Sequence, residues 1–386
     1  MAAPDQGRSM LRNNGRELSV EAGSIVALRL FDIAYAIDLA AAESAWARHT
    51  QSAGSRRSQL SGSPAKAIAF DVPPVLLPLA PMLLQLQDRG VQAQVSARLY
   101  DFGVVAFSVR IPIEGCAWGE FNERIEAVNA VLGAAASPTI WHGLLEHVRP
   151  LIASALTRPS TSTIQEDYLL GIVHRFDETL TANELLDRVD LVPMLSGERR
   201  TLSEGARRDL MRQRYSYYED DLVVLTWDRA FIYEPRGDSD VADVLEVANA
   251  QLLEMRYYDE LLDDELPRMN DLVEETRGSI GVLAPRRFAH LARRLYTLVA
   301  EVTELTEKVD NALQVTEDVY LARIYSAALD LFRVPNVSAA VDRKLSIIRD
   351  TYTALYDESS GARGELMELA IVVLIVAEIV LALLRH

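Results

Sequence analysis

The chain up to about residue 235 alternates short apolar runs with clusters of turn residues, a pattern that predicts β-strands joined by turns. Val91–Leu99 and Val104–Ile111 flank Tyr100–Gly103, which predicts a hairpin whose Gly103 supplies an unusual backbone angle. The other expected strands are Ile25–Ile33, Ala67–Val72, Ile164–Phe176, Leu222–Trp227 and Ala230–Tyr233. Strands that follow one another in hairpins pair antiparallel, so we expect an antiparallel sheet.

Helical periodicity interrupts these strands. The spacing of apolar residues predicts helices over Trp118–Leu132 and Ile140–Leu156. Thr181 stands three residues before Glu184, which is the spacing of a capping box at the start of another helix. Helices mixed with hairpin-connected strands favour an α+β head over a doubly wound α/β fold.

From about Ser239 the apolar positions change to heptad spacing, which is typical of helices packed side by side. Asp259 alone interrupts the first run, whose apolar members are Val241, Leu245, Ala248, Leu252, Met255, Leu262, Leu266, Met269 and Val273. We expect Pro267 to kink this helix. A second run over Leu291–Ala312 follows and is broken by Pro335–Asn336, and a third run covers Val341–Leu355. The pattern predicts a long antiparallel, coiled-coil-like bundle.

The apolar segment Leu366–Leu384 predicts a C-terminal membrane anchor. As a helix it would be roughly 28 Å long, close to the roughly 30 Å hydrocarbon core of a bilayer. Glu378 lies inside the segment, where an unpaired charge costs about 2.5 kcal/mol or more. It is therefore a candidate intramembrane contact between neighbouring copies, with a protonated or interface-facing glutamate as the alternative.

These patterns together predict a chain of four parts. The expected fold class is α+β, with an antiparallel-sheet head domain, a long antiparallel helical bundle and one C-terminal transmembrane helix. The expected boundaries are a disordered leader at 1–20, the head at 21–236, the helical stalk at 237–360 and the anchor at 365–385. Heptad seams form intramolecular cores as well as oligomer contacts, so both uses of the stalk remain open.

Charge and cysteine content narrow the possible partners. The formal net charge of −17 opposes general binding to phosphate backbones, so we expect no DNA partner. Cys116 is the single cysteine, which excludes an intramolecular disulfide and suits a reducing compartment. The N-terminus lacks the apolar core of a secretory signal. With the terminal anchor, this favours a bacterial inner-membrane protein whose body is cytoplasmic.

A cluster of arginines followed by tyrosines is the candidate RNA or phosphate patch. Arginine forks beside aromatic rings can grip phosphate and stack on bases. Acidic residues are interleaved with them, so the alternative is a solvated surface with internal ion pairs. The cluster consists of Arg199, Arg200, Arg207, Arg208, Arg212, Arg214, Tyr215, Tyr217 and Tyr218.

The sequence contains no catalytic signature, so we predict no enzyme, no cofactor and no metal. The chain lacks a phosphate loop, a G-x-S-x-G elbow and a G-x-G-x-x-G fingerprint. His142 and His147 are five residues apart, unlike the four-residue spacing of zinc-binding helices. The acidic stretches Glu219–Asp221 and Asp259–Glu265 lack the spacing of a calcium loop.

Several patches resemble a known family. Tyr100–Phe107 looks like its central hairpin, Asp220–Ala230 like the last strands of its head, Asp243–Asp259 like the start of its long helix, and Glu368–Glu378 like its anchor. The chain thus resembles the required-for-meiotic-nuclear-division proteins, also called domain of unknown function 155, as a bacterial member. The resemblance implies a head, a stalk and a membrane helix.

The resemblance also suggests two functions. Eukaryotic members are homo-oligomers of the mitochondrial inner membrane that support translation, but this chain lacks a transit peptide and is strongly acidic. We therefore expect a tail-anchored, non-enzymatic, homo-oligomeric scaffold that presents its head to protein partners. The alternative is a membrane-tethered factor associated with the ribosome or RNA, at the mitochondrial inner membrane in the eukaryotic manner.

Overall fold

The computed structural model describes residues 17–50, 56–57, 72–87, 89–198, 200–237, 240–278 and 319–354, with scattered positions between 290 and 303. The strands are β1 Ser19–Asp32, β2 Ala34–Ile37, β3 Arg56–Arg57, β4 Val75–Pro78, β5 Met82–Leu86, β6 Arg89–Leu99, β7 Val104–Ala117, β8 Leu156–Pro159, β9 Gln165–Phe176, β10 Arg214–Tyr215, β11 Leu222–Leu225 and β12 Arg229–Tyr233. The helices are α1 Leu39–Thr50, α2 Trp118–Leu132, α3 Thr139–Leu151, α4 Ala182–Arg188, α5 Val192–Ser196, α6 Glu204–Leu210, α7 Val241–Gly278, α8 Val319–Leu331 and α9 334–354.

The architecture is α+β, and its main sheet is mixed. The strand order is β10-β11-β12-β9-β1-β7-β6-β4-β3, with β5 also paired to β6. Most neighbours are antiparallel, but β12 runs parallel to β9. The prediction of an antiparallel sheet is therefore wrong at this junction. The chain between β9 and β12 passes through α4, α5, α6, β10 and β11, and such a long connection allows a parallel return that a hairpin cannot make.

Strand β1 is central and buried on both faces. Ile25, Ala27 and Phe31 belong to the core beneath the helices α1 to α5. The intervening Val26 and Leu28 belong to the second core, beneath α7, α8 and α9. Burial on both faces explains why β1 is apolar from Ile25 to Phe31 except at Arg29, rather than alternating between apolar and polar residues.

Local sequence signals are confirmed by the structure. The predicted hairpin is β6–β7, with Leu99 paired to Val105 and Gly103 at φ 101°. Helix α2 has the predicted bounds. The capping box is also present, since the Thr181 hydroxyl accepts from the Glu184 N–H and the Glu184 carboxylate accepts from the Thr181 N–H.

Helix α7 uses its heptad positions within the molecule. Val241, Leu245 and Ala248 pack against the sheet in the core that also contains residues of α8 and α9. Asp259, which interrupts the apolar series, forms an ion pair with Lys344 of α9 at 2.6 Å. Pro267 lies inside α7, and the helix continues through it to Gly278. In the described residues, the heptad seam therefore joins the long helix to the sheet.

The predicted C-terminal transmembrane helix is not supported. Among the described residues, none of the helices combines the length and the apolar character needed to cross a bilayer. Helix α7 has the length but carries closely spaced acids between Asp259 and Glu265. The segment 366–384, with Glu378, lies outside the described residues, as do the predicted leader up to residue 16, most of the Ala67–Val72 strand and most of the second heptad run. The fold class is corrected to α+β with a large mixed sheet.

Candidate partner-binding surface

The predicted arginine cluster is interleaved with acidic residues, and Arg207, Arg208 and Arg214 line one cavity with Asp187 and Asp190. Arg207 pairs with Asp190 at 3.0 Å, and the Arg208 Nε donates to the Glu204 carbonyl at 3.2 Å. Arg200, Arg212 and Arg214 are exposed, and Arg199 lies outside the described residues. Residues 203–213, which include α6, lie between Arg200 and the tyrosines in the chain. The described ring contacts of the tyrosines are with residues outside the predicted cluster as well as within it.

The turn after β10 exposes two of the predicted tyrosines. The Asp221 carboxylate accepts from the backbone N–H groups of Tyr217 and Tyr218, at 2.7 and 3.1 Å. The Ser216 hydroxyl donates to the Tyr218 carbonyl at 2.5 Å. These bonds satisfy the backbone locally and leave the rings in solvent, 64% exposed for Tyr217 and 45% for Tyr218.

These rings belong to a larger surface that we name the aromatic patch: Tyr215, Tyr217, Tyr218, Arg236, Tyr320 and Arg323. The Tyr217 ring lies 4.8 Å from that of Tyr218 and 5.4 Å from that of Tyr320 on α8. The Arg236 guanidinium lies 4.4 Å from the centre of the Tyr218 ring, and the Arg323 guanidinium lies 5.8 Å from that of Tyr215. Tertiary structure thus adds Arg236, Tyr320 and Arg323, which the local sequence pattern missed.

The two arginines of the aromatic patch are exposed cations with no carboxylate partner in the part of the chain that the structure describes. Arg236 and Arg323 are both exposed, and neither forms an ion pair with any residue that the structure describes. Their guanidinium planes cover the faces of Tyr218 and Tyr215, while their N–H groups remain available to an acceptor. In a protein of net charge −17, such a surface is a local exception to the overall acidity.

A large cleft lies beneath an exposed tryptophan. It has a volume of about 1300 Å³, and Trp227, which is 72% exposed, is among its lining residues. Burial raises the pKa of Asp167 and of Asp228 in this cleft, and nearby arginines oppose both shifts. The described residues contain no group of three side chains arranged to hold a metal ion. The cleft is therefore acidic, but its described side chains are not arranged as metal ligands.

A buried polar network connects β6 to the first turns of α7. The Arg98 guanidinium pairs with Asp243 at 2.8 Å and with Glu246 at 3.2 Å. The Tyr100 hydroxyl donates to Glu246 at 2.8 Å. Burial raises the pKa of Glu246, and the Arg98 charge offsets part of that shift. The alternating polar positions of β6 could have signalled this network, but a solvent-facing strand gives the same pattern.

The cysteine and the histidines named in the sequence occupy structural positions. Cys116 is buried, and burial raises the pKa of its thiol, which disfavours the reactive thiolate. His142 packs near Phe31, with ring centres 6.1 Å apart, and His147 packs near Trp46 at 6.5 Å. The two histidines, both on α3, thus lie near different elements: Phe31 on β1 and Trp46 on α1.

Sequence comparison identifies the family of this domain. Residues 22–240, more than half of the chain, match the family described as the N-terminal domain of uncharacterized protein MJ0711. The chain belongs to this family. The MJ0711 protein of Methanocaldococcus jannaschii is 26% identical over 196 residues, which cover 50% of this chain and 59% of that protein. The match thus spans less than two thirds of that relative. None of the solved structures matches the chain.

Membership in the MJ0711 family corrects the earlier resemblance. The assignment to the required-for-meiotic-nuclear-division family is wrong. The family model that matches is that of the MJ0711 N-terminal domain, and the archaeal relative is the MJ0711 protein itself. The patches that suggested it are short and serve general structural needs. Gly103 provides a positive φ in a hairpin. Asp243 lies in the first turn of α7 and pairs with Arg98. Such features recur in unrelated α+β proteins and therefore discriminate poorly between families.

Proposed function

We propose that this protein is a non-enzymatic scaffold whose aromatic patch binds an acidic segment of a partner protein. The supporting observation is the pairing of exposed Tyr218 with Arg236 and of half-buried Tyr215 with Arg323, cations that lack a carboxylate among the described residues. Tyrosine and arginine are the residue types enriched at the energetic centres of protein interfaces. A carboxylate from the partner would accept from guanidinium groups that the tyrosine rings already hold in place.

An RNA ligand is less favoured by the same geometry. Bases bind single-strand sites by stacking on open aromatic faces, whereas Arg236 and Arg323 already cover faces of Tyr218 and Tyr215. Arg207 of the predicted RNA patch is engaged by Asp190. The net charge of −17 also opposes the long-range attraction that brings RNA to a basic surface.

Site-specific photocross-linking of the full chain tests this proposal. A photoreactive phenylalanine analogue replaces Tyr217 in the source organism, and the same analogue replaces Leu83 as the control. Leu83 is 75% exposed in the β5–β6 hairpin and is absent from the aromatic patch. We expect a protein adduct from position 217 that is missing from position 83, and mass spectrometry identifies the cross-linked peptide. The proposal requires that peptide to be rich in aspartate or glutamate.

Binding measurements with the purified partner complete the test. Tyr217→Ala and Arg236→Ala should each weaken binding about tenfold or more, because truncation of central interface residues has effects of this size. Leu83→Ala should leave the affinity unchanged, and added salt should weaken the wild-type complex. A nuclease-sensitive adduct, an adduct between copies of this chain, or equal effects of Leu83→Ala would overturn the proposal.

A further inference from the structure

A cavity with a mixed polar and apolar lining lies between the first turns of α7 and the strands β1, β6 and β7. Its volume is about 430 Å³, which is within the range of roughly 300–1000 Å³ found for small-molecule sites. We name it the Arg110 pocket. Its main polar lining consists of Ser96, Arg98, Ser108, Arg110, Asp243 and Glu246. None of these residues belongs to the aromatic patch.

Strand pairing places the polar side chains of the Arg110 pocket on one face of the sheet. Arg110 lies opposite Gln94 of β6 and Val26 of β1, and Ser108 lies opposite Ser96. Side chains two apart on a strand share a face, so this face also contains the core residues Val26 and Leu28. Polar groups on an otherwise apolar face are costly unless they are hydrogen-bonded. Ser96, Arg98, Ser108 and Arg110 are all partly exposed, so a ligand can reach them.

The two arginines of the Arg110 pocket have different surroundings. Arg98 is neutralised by Asp243 and Glu246, at 2.8 and 3.2 Å. Arg110 forms no ion pair with any residue that the structure describes, and its one hydrogen bond is from Nη1 to the Ser24 hydroxyl, at 2.8 Å. Burial lowers the pKa of Arg110, and the nearby charges of Asp243 and Glu234 oppose that shift.

The Arg110 pocket presents hydrogen-bonding groups that suit an oxyanion. A guanidinium has five N–H donors in a planar fork that fits two oxygens of a carboxylate or a phosphate. Arg110 uses one of its donor groups on Ser24, and Ser96 and Ser108 line the same cavity with hydroxyl donors. Asp243 and Glu246 line the same cavity with carboxylates that also pair with Arg98. The site therefore offers both hydrogen-bond donors and acceptors to a ligand.

We propose that the Arg110 pocket binds a small organic molecule through an oxyanion group, either a phosphate or a carboxylate. Arg110 holds two oxygens of that group, and the Ser96 and Ser108 hydroxyls donate to it. The remainder of the ligand lies towards Asp243, whose carboxylate accepts from a hydroxyl or an amine. This assignment does not depend on the function proposed for the aromatic patch.

Thermal unfolding of the full chain in the presence of simple anions tests the pocket. Sodium phosphate and sodium acetate are titrated separately, with ionic strength held constant by sodium chloride. At ten times its dissociation constant, the bound anion should raise Tm by about 2 °C and the rise should saturate. A response to phosphate alone would assign a phosphate ligand, and a response to acetate alone would assign a carboxylate ligand.

Two variants and one control separate site binding from general salt effects. Arg110→Gln should abolish the saturable rise, and Ser108→Ala, a small change that preserves folding, should weaken the anion about three- to tenfold. Arg175→Gln should retain the wild-type response, because Arg175 is exposed on β9 and pairs with Glu21 outside the pocket. The proposal fails if neither anion gives a saturable rise, or if Ser108→Ala and Arg110→Gln both respond like the wild type.

Discussion

Asp32, at the end of β1, and Glu254, on α7, each retain a buried carboxyl oxygen that has no hydrogen-bond partner in the described structure. The Tyr258 hydroxyl donates to the other oxygen of Glu254 at 2.5 Å. Burial raises the pKa of Asp32 to about 6. Burial, followed by the Asp32 charge, raises the pKa of Glu254 well above its ordinary range. Ionising both groups is therefore unfavourable in the folded protein.

The first prediction concerns Asp32 and the acid side of the stability curve. The folded state binds the Asp32 proton more tightly than the unfolded state, so the free energy of unfolding falls as pH rises from about 4 to about 6. A pKa change from 3.8 to about 6 corresponds to roughly 3 kcal/mol. Asp32→Asn should gain about this much relative to the wild type across the window. Urea unfolding at stepped pH measures it, and parallel curves for the two proteins would contradict it.

The second prediction concerns Glu254 at neutral and higher pH. Glutamine keeps an acceptor for Tyr258 but cannot ionise, so Glu254→Gln should gain stability relative to the wild type as pH rises above the ordinary glutamate range. The gain should approach about 1.4 kcal/mol per pH unit while the folded wild type retains its proton. Glu260→Gln is the matched control, since Glu260 is exposed on the same helix. Equal pH slopes for the two variants would refute this account.

The third prediction uses two glycines that share a positive φ but differ in their surroundings. A Cβ at Gly103 would lie 1.8 Å from the Ala34 carbonyl oxygen, whereas one at Gly115 would meet nothing within 4 Å. Gly115→Ala should cost about 1 kcal/mol, from the left-handed backbone alone. Gly103→Ala should cost about 3 kcal/mol or more, because the β6–β7 hairpin must also move. Chemical denaturation compares them, and similar costs would argue against the close approach at Gly103.

The fourth prediction assigns the solvent-accessible tryptophan fluorescence to one residue. Trp46, Trp118 and Trp141 are buried, at 2%, 8% and 1% exposure, whereas Trp227 is 72% exposed. Acrylamide should quench the wild type readily, and Trp227→Phe should reduce the quenching slope several-fold. Trp118→Phe should leave most of the slope in place. A slope unchanged by Trp227→Phe would mean that the turn between β11 and β12 packs differently.

Features encoded by neighbouring residues could be predicted from the sequence. The Thr181–Glu184 capping box and the Gly103 turn are each decided within a few residues, by hydrogen bonds or by backbone sterics. The same holds for α2, whose apolar spacing predicts both ends. These elements did not require knowledge of the rest of the chain.

Features that depend on distant parts of the chain could not be predicted in this way. The parallel pairing of β12 with β9 leaves no local trace, because each strand alone fits either orientation. Arg236 and Tyr320 join the aromatic patch from far apart in the sequence, so a cluster read from consecutive residues omits them. The same cluster included Arg207, whose charge Asp190 engages.

The Arg110 pocket was missed for a different reason. Ser96, Arg98, Ser108 and Arg110 occupy alternate strand positions, which is the pattern of a face exposed to water. Covering that face requires α7, whose heptad spacing indicated a separate bundle. Only the observed packing of Val244 and Leu245 against the sheet shows that α7 lies over this face and leaves the polar positions only partly exposed.

The central place of β1 has a consequence for how the chain is made. Its two partners are β7 and β9, and its pairing with β9 extends as far as Phe176. During synthesis β1, with apolar side chains on both faces, therefore leaves the ribosome more than a hundred residues before β9 has emerged. Such distant pairings slow folding, and we expect nascent chains truncated before β9 to recruit chaperones and to aggregate in their absence.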